Sequence, residues 1–172
     1  EDRRVGETIK YHILSVGGIQ VYSLAEADIL LAVNIGSEMM EISASNRTTA
    51  YDIERNLAEV REDLARIAES SGRAVPTLVC VTKSGSDEEL LALVRAGATD
   101  VGENRPQELM RRGELLGGVG LYPTLHEIGN LQRNKVKYII DKVHLIHSLD
   151  SDRLAAEIDR QAKKHGRKIP VL

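Results

Sequence analysis

The sequence predicts an α/β fold built on a parallel sheet. Short apolar, strand-like segments alternate with helix-like segments from residue 77 onward, and the connections between them are short, as in repeated βα units. The chain has 172 residues, which suits one ordinary domain. Two architectures stay open at this point, an open doubly wound sheet and a (β/α)₈ barrel. No Gly-x-Gly-x-x-Gly motif follows a strand, which argues against a dinucleotide-binding sheet.

The first clear element in chain order is a helix over residues 50–71, ended by Gly72. Its apolar residues recur at spacings of three and four, which gives one apolar stripe with charged residues between. The stripe consists of Ile53, Leu57, Val60, Leu64 and Ile67.

The βα units follow. Their predicted strands cover residues 77–82, 99–101, 125–128, 143–147 and 169–172. The predicted helices cover residues 87–96, 106–116, 130–140 and 152–165. Pro106 suits the first turn of its helix, and Asn130 is expected to cap the next one.

Residues 1–49 carry no motif that points to a function. Segments 11–16 and 29–33 look strand-like, with residues 24–28 between them. A small βαβ-like appendage and a tail without stable structure both fit this pattern. We therefore treat residues 1–49 as an unassigned N-terminal extension and residues 50–172 as the domain.

Composition excludes several classes of function. The formal net charge is −3 and aromatic residues make up 3%, with no Trp or Phe, which argues against a nucleic-acid partner. The single cysteine, Cys80, cannot form an internal disulfide or a cysteine-based metal cluster, and we expect it to be a buried hydrophobe. No apolar stretch approaches the ~20 residues of a membrane helix, and no signal peptide is visible. We therefore expect a cytoplasmic protein without a membrane partner.

Polar or glycine residues follow four of the predicted strands, where α/β folds place their sites. They are Lys83, Glu103–Asn104, Gly129–Asn130 and His147–Ser148. A lysine at a barrel mouth can be partly desolvated, which frees its amine to attack an aldehyde. A solvated loop lysine is the other interpretation of Lys83, and position alone favours it.

The other candidate residues also have two interpretations. Asn104 can donate to a ligand or cap the following helix, and the cap is favoured. Glu103 can be a general base or pair with a nearby Arg or Lys, and the ion pair is favoured. His126 opens a dense polar segment in which Gly129 lets backbone approach a ligand closely. A basic run follows that either is a solvated face or binds an anion: Arg133, Lys135 and Lys137. No metal site is expected.

Several short motifs occur in the order and spacing found in the pyridoxal-phosphate homeostasis proteins, the YggS/PROSC-like family. They are Val81-Thr82-Lys83, Gly102-Glu103-Asn104, Gln107-Glu108, residues 126–135, Lys137-Tyr138-Ile139 and residues 146–150. From about residue 53 to residue 172 the chain resembles that family. It departs from the family at Asn130, where a histidine is usual, and at Leu125, where an aromatic residue is common.

The resemblance implies part of a (β/α)₈ TIM barrel of the alanine racemase N-terminal-domain type, with about five βα units. It also implies that pyridoxal 5′-phosphate (PLP) forms a Schiff base with Lys83. Asn104, His126, Gly129 and Ser148 are implied as further cofactor-binding residues. The family is thought to hold, buffer or deliver the cofactor without enzymatic turnover, so no catalytic residue is expected. Full-length relatives are expected to be monomers.

Two other functions remain open. One is a PLP-dependent amino-acid racemase or decarboxylase of the alanine racemase fold. The other is a truncated chain that binds no cofactor, because the sequence stops in its fifth predicted strand, whereas the family holds the cofactor's phosphate with loops of later strands. We therefore expect residues 169–172 to lie at an open sheet edge through which the chain associates.

Overall fold

Seven strands form one sheet in the computed structural model of the protein, which describes residues 11–16, 19–24, 29–34 and 50–172. They are β1 Tyr11–Val16, β2 Ile19–Leu24, β3 Ile29–Asn34, β4 Thr77–Val81, β5 Asp100–Glu103, β6 Thr124–Glu127 and β7 Leu145–Ile146. Neighbours in the sheet are also neighbours in the chain. Pairing is antiparallel from β1 to β3 and parallel from β3 to β7. The predicted α/β fold with a parallel sheet is confirmed.

Five helices connect or precede the parallel strands of the described ranges. They are α1 Ala50–Ser71, α2 Asp87–Arg95, α3 Pro106–Gly118, α4 Arg133–Ile139 and α5 Asp152–Lys164. Pro106 begins α3 as predicted. α4 begins later than predicted, because its N-cap residue is Gln132; Asn130 therefore does not cap it. None of these helices combines the length and the apolar composition needed to cross a membrane.

The N-terminal strands form an antiparallel arrangement that the sequence did not predict in full. β1 and β3 match the predicted segments, but β2 lies between them and pairs with both. The expected βαβ-like appendage is therefore wrong. Residues 19–24 alternate between apolar and polar side chains, and Gly17-Gly18 separates them from β1. These two signals are typical of a β-hairpin and could have identified β2.

The main hydrophobic core lies between β5–β7 and helices α3–α5. Alternation along the strands places Val101, Leu125 and Ile146 on this face of the sheet, and all three are buried. They pack in one cluster with helix residues that include Leu109, Leu116, Val136, Ile139, Ile140, Leu154 and Ile158. This cluster fixes the strands whose carboxyl ends carry the candidate site.

A smaller cluster joins α1 and α2 to β4 through Cys80. Burial raises the pKa of the Cys80 thiol to about 12, which makes it an inert hydrophobe, as predicted. The apolar stripe of α1 is buried only in its first half. Ile53 and Leu57 are 2% exposed, whereas Ile67 is 41% exposed.

The predicted fifth strand of the domain is a single parallel bridge between Val171 and Ile146. The Ile146 N–H donates to the Pro170 carbonyl at 3.2 Å, and the Leu172 N–H donates to the Ile146 carbonyl at 2.9 Å. Val171 and Leu172 are both exposed. Residues 170–172 thus lie beside β7, at the side of the sheet opposite β1.

Candidate functional site

The ends of β4, β5, β6 and β7 lie side by side because these strands are parallel and paired in chain order. The register aligns Val81 with Gly102, and Gly102 with His126. The loops that follow these strands therefore start at one edge of the sheet, which we name the carboxyl edge. Each of the four loops holds one of the predicted site residues: Lys83, Asn104, Gly129 and Ser148.

Lys83 stands in a tight turn directly after β4. The Gly85 N–H donates to the Thr82 carbonyl at 3.0 Å, so Lys83 and Ser84 are the two central residues of a β-turn. The side chain of Lys83 is exposed. Partial desolvation of this lysine therefore does not occur within the described part of the chain, and the exposure fits the favoured interpretation of a solvated loop lysine. The amine is accessible to a ligand from solvent.

Gly129 and Asn104 bring the loops after β5 and β6 into direct backbone contact. A Cβ atom built on Gly129 would lie 2.2 Å from the carbonyl oxygen of Asn104. Only glycine allows this approach, so Gly129 serves a close contact between two loops of the protein, whereas its predicted approach to a ligand stays a prediction. The Asn104 side chain is exposed and does not cap α3, whose N-cap is Arg105 without a side-chain bond. The favoured helix-cap role of Asn104 is therefore wrong.

Ser148 ties the loop after β7 to the same place. Its hydroxyl donates a hydrogen bond to the Gly129 carbonyl, while the Gly129 N–H donates to Oε1 of Glu127 at 3.1 Å. Asn104, Gly129 and Ser148 therefore form one contact group, which we call the loop junction. Lys83 lies in the adjoining loop, next to Thr82, whose hydroxyl donates to Glu103.

His126 lies below the loop junction, on the sheet face opposite Glu127. Its Nε2 is 2.9 Å from Oδ1 of Asp100, and its Nδ1 is 2.9 Å from Nε2 of His147. Because the Asp100 carboxylate accepts, Nε2 of His126 carries the proton and Nδ1 accepts from His147. The Nδ1 atom of His147 is then left as a buried acceptor without a hydrogen-bond partner.

Burial governs the titration of this histidine pair. It lowers the pKa of His126, although the hydrogen bond to Asp100 opposes the shift. Burial first, and the neighbouring His126 second, lower the pKa of His147 to about 4. Both rings are therefore neutral near pH 7.

A buried ion pair that the sequence predicted only in part lies behind the carboxyl edge. Nη1 of Arg112 is 2.6 Å from Oε1 of Glu103, and both side chains are less than a tenth exposed. The expected ion pair of Glu103 is confirmed, but Arg112 was missed as its partner. Arg112 follows Leu109 by three residues and precedes Leu116 by four, so it lies on the buried stripe of α3. An arginine within an apolar stripe was the signal that could have identified it.

Glu127 is a second residue that the sequence analysis missed. Its side chain is fully buried, and its Oε2 atom has no hydrogen-bond partner. Burial raises the pKa of the Glu127 carboxyl group to about 7, opposed by the Gly129 N–H and assisted by the Glu103 charge across the strand pair. A carboxyl group at a strand position that is otherwise apolar was the available signal. Within residues 50–172, no group of three or more His, Cys, Asp and Glu side chains could hold a metal ion.

The carboxyl edge thus combines an accessible primary amine with hydroxyl, amide and backbone groups from neighbouring loops. A primary amine in such a place can bind an aldehyde covalently, and the polar groups beside it can orient the rest of a small ligand.

A protein-family model matches the first part of the chain. A model of the family described as "Protein of unknown function (DUF4127)" matches residues 1–101. Its description names no activity.

Curated relatives share the second part of the chain. A "Pyridoxal phosphate homeostasis protein" of Aquifex aeolicus (strain VF5) is 39% identical over 111 residues, which cover 63% of this chain and 48% of the relative. A protein of the same name from Escherichia coli (strain K12) is 33% identical over 115 residues, with 64% and 48% covered. The chain spans about half the length of the curated relatives it matches.

Solved structures agree with the fold. PipY of Synechococcus elongatus PCC7942, with PLP bound, gives a TM-score of 0.58 at 30% identity, over 69% of this chain and 52% of PipY. A protein from Bifidobacterium adolescentis described as unknown gives a TM-score of 0.66 at 29% identity, over 78% and 59% of the two chains.

Proposed function

We propose a function from the families to which the chain belongs. Over part of its length it belongs to the pyridoxal phosphate homeostasis protein family. Its residues 1–101 belong to the family described as protein of unknown function DUF4127. The proposed function is to bind PLP at the carboxyl edge without catalysing a reaction. Lys83 holds the cofactor as a Schiff base, and the protein serves PLP homeostasis in the cytoplasm. The sheet is then part of a (β/α)₈ barrel of the alanine racemase type.

The observation that carries this proposal is the exposed amine of Lys83 in a hydrogen-bonded turn at the carboxyl edge. The donor set fits the cofactor's reactive group, because a primary amine condenses with an aldehyde: the C=N bond forms and the aldehyde oxygen leaves as water. PLP supplies an aldehyde and an electron-withdrawing ring when it is bound. The name of the curated relatives and the PLP bound to PipY support the same ligand.

The other predicted site residues take supporting roles in the proposal. The exposed Asn104 side chain is available to donate to the ligand. Gly129 allows the close contact with the Asn104 main chain, and the Ser148 hydroxyl donates a hydrogen bond to the Gly129 carbonyl. His126 supports these loops from its buried position, and it does not bind the ligand through its ring nitrogens, because both already have protein partners.

Chemical trapping tests the role of Lys83. We expect PLP to give the visible absorption of a Schiff base with the wild-type chain, and borohydride followed by peptide mapping to place the label on Lys83. Lys83→Arg keeps the positive charge but cannot form the Schiff base, so PLP affinity should fall at least about tenfold, which corresponds to about 1.4 kcal/mol.

Lys168→Arg is the matched control, because Lys168 is also exposed but lies before the residues that pair with β7. This variant should bind PLP like the wild type. A label on another lysine, with Lys83 unmodified, would contradict the assignment. The absence of any Schiff-base absorption with the wild-type chain would favour the chain that binds no cofactor.

The titration of two described side chains, His147 and Glu127, is consistent with the proposed absence of catalysis. Efficient proton transfer needs a group whose pKa lies near the working pH. The pKa of His147 lies at about 4, far below that range. The pKa of Glu127 lies at about 7, but this side chain is fully buried on the helix-covered face of the sheet.

A turnover assay separates this function from the racemase or decarboxylase alternative. We expect PLP-loaded protein, incubated with L-alanine and other amino acids, to give no more racemised, decarboxylated or deaminated product than free PLP does. The Lys83→Arg variant controls for catalysis by free cofactor. Steady-state turnover that disappears in this variant would establish the enzyme instead.

A further inference from the structure

Arg112 reaches from the buried face of α3 to the turn that contains Lys83. Its side chain is 7% exposed. Nη1 donates to the carbonyl of Thr82 and Nη2 donates to the carbonyl of Gly85 at 2.5 Å. These carbonyls belong to the first and last residues of the β-turn, so one guanidinium group holds both ends of it.

The Glu103 carboxylate compensates the positive charge of Arg112. Nη1 also donates to Oε1 of Glu103, and the same oxygen accepts from Oγ1 of Thr82 at 2.5 Å. The guanidinium, the carboxylate and the threonine therefore form one buried network. A buried ion pair carries a desolvation cost and is weak evidence for a purely stabilising role. Here the donors of the guanidinium are directed largely to main-chain atoms beside Lys83.

None of these hydrogen bonds engages the Lys83 side chain. The turn is fixed through its main chain, and α2 follows it directly with a capping box of Ser86 and Glu89. This arrangement leaves the amine of Lys83 exposed while the Cα atom that carries it is held in place.

We propose that Arg112 is the positioning residue of the Lys83 turn. This inference rests on the proposed PLP function: by holding both ends of the turn, Arg112 keeps Lys83 where its amine meets the cofactor's aldehyde. The two Nη atoms of the guanidinium are held apart in a rigid fork, so that each reaches one of the two carbonyls. Lysine has one nitrogen at the end of a flexible chain and cannot reproduce this spacing.

Arg112→Lys tests the inference because it keeps the charge and removes the fork. We expect PLP affinity to fall about tenfold, and the exchange rate of the Gly85 amide, measured by NMR, to rise about tenfold. Affinity for pyridoxine 5′-phosphate, which has no aldehyde, should stay within about twofold of wild type. A general loss of structure would instead weaken the binding of both ligands.

Arg111→Lys is the matched control. Arg111 is the preceding residue on α3, is 47% exposed, and pairs with Asp87 and Glu108. This variant should change neither the Gly85 exchange rate nor PLP affinity.

Three results would overturn the role of Arg112: unchanged Gly85 exchange in Arg112→Lys, unchanged PLP affinity despite faster exchange, or an equal loss of affinity for both ligands. If Arg112→Lys does not fold, amide order parameters of the wild-type Lys83 and Ser84 decide: values near 0.85 support a held turn and values below about 0.6 contradict it. If wild type forms no Schiff base at Lys83, the proposed function fails, whereas Gly85 exchange still decides whether Arg112 holds the turn.

Discussion

Gly129→Ala is expected to be the most damaging small substitution at the carboxyl edge. The new methyl group would lie 2.2 Å from the oxygen, 2.8 Å from the carbonyl carbon and 2.9 Å from the Cα atom of Asn104. All three are main-chain atoms, so no rotamer change relieves the overlap. Overpacking of a well-packed site costs about 1–3 kcal/mol, and a clash with main chain lies at or above the upper end.

Urea unfolding measures this effect. We expect the free energy of unfolding of Gly129→Ala to fall by about 3 kcal/mol or more, a large share of the ~5–15 kcal/mol of a typical domain. Gly118→Ala is the control, because Gly118 is helical and its added Cβ would meet nothing within 4 Å. That variant should be stabilised by up to about 1 kcal/mol. A loss below about 1 kcal/mol for Gly129→Ala would show that the two loops separate easily.

Glu127→Gln is expected to stabilise the protein, and to do so mainly at neutral and alkaline pH. The pKa of Glu127 is about 7 in the folded protein against 4.5 as its ordinary value. Between these values the folded state binds the proton that the unfolded state releases, so stability falls as pH rises from about 4.5 to about 7. A shift of this size corresponds to about 3 kcal/mol, as an order of magnitude.

The free energy of unfolding at pH 5 and at pH 8 checks this prediction. The uncharged glutamine side chain should raise stability by about 2–3 kcal/mol at pH 8 and by much less at pH 5. Comparison with wild type at each pH removes the opposite contribution of His147, whose lowered pKa makes stability rise between about pH 4 and 6.5. Glu114→Gln is the control, because Glu114 is exposed on α3. An equal change in the free energy of unfolding at pH 5 and pH 8 for Glu127→Gln would contradict the raised pKa of Glu127.

The parts of the fold that local signals determine were predictable from the sequence. The helix over residues 50–71 was predicted with the bounds of α1, because its apolar spacing and Gly72 are both local features. α2 and α3 likewise began where acidic residues and Pro106 indicated. The order of the βα units followed from the short connections.

Features that depend on partners distant in the sequence were not predictable in the same way. Arg112 binds residues that precede it by 9 to 30 positions, and no feature of its neighbouring sequence identifies these partners. The contact of Gly129 with Asn104 depends on the alignment of β5 with β6. Sequence reasoning could predict that these residues lie at one edge, whereas their contacts depend on how the helices set the spacing of the strands.

The strands pair in the same order in which they occur in the chain, and this order affects how the protein folds during synthesis. Val79 pairs with Asp100, and Asp100 pairs with Thr124. Each parallel strand from β5 onward therefore pairs with a strand synthesised only about 20 residues earlier. The entropy cost of closing each of these loops is small. Each βα unit can therefore dock on the preceding one soon after it leaves the ribosome. Pairing of β3 with β4, as between Leu30 and Leu78, spans more than twice that distance and includes the whole of α1. We expect that step to be the slower one, since contacts distant in sequence form late.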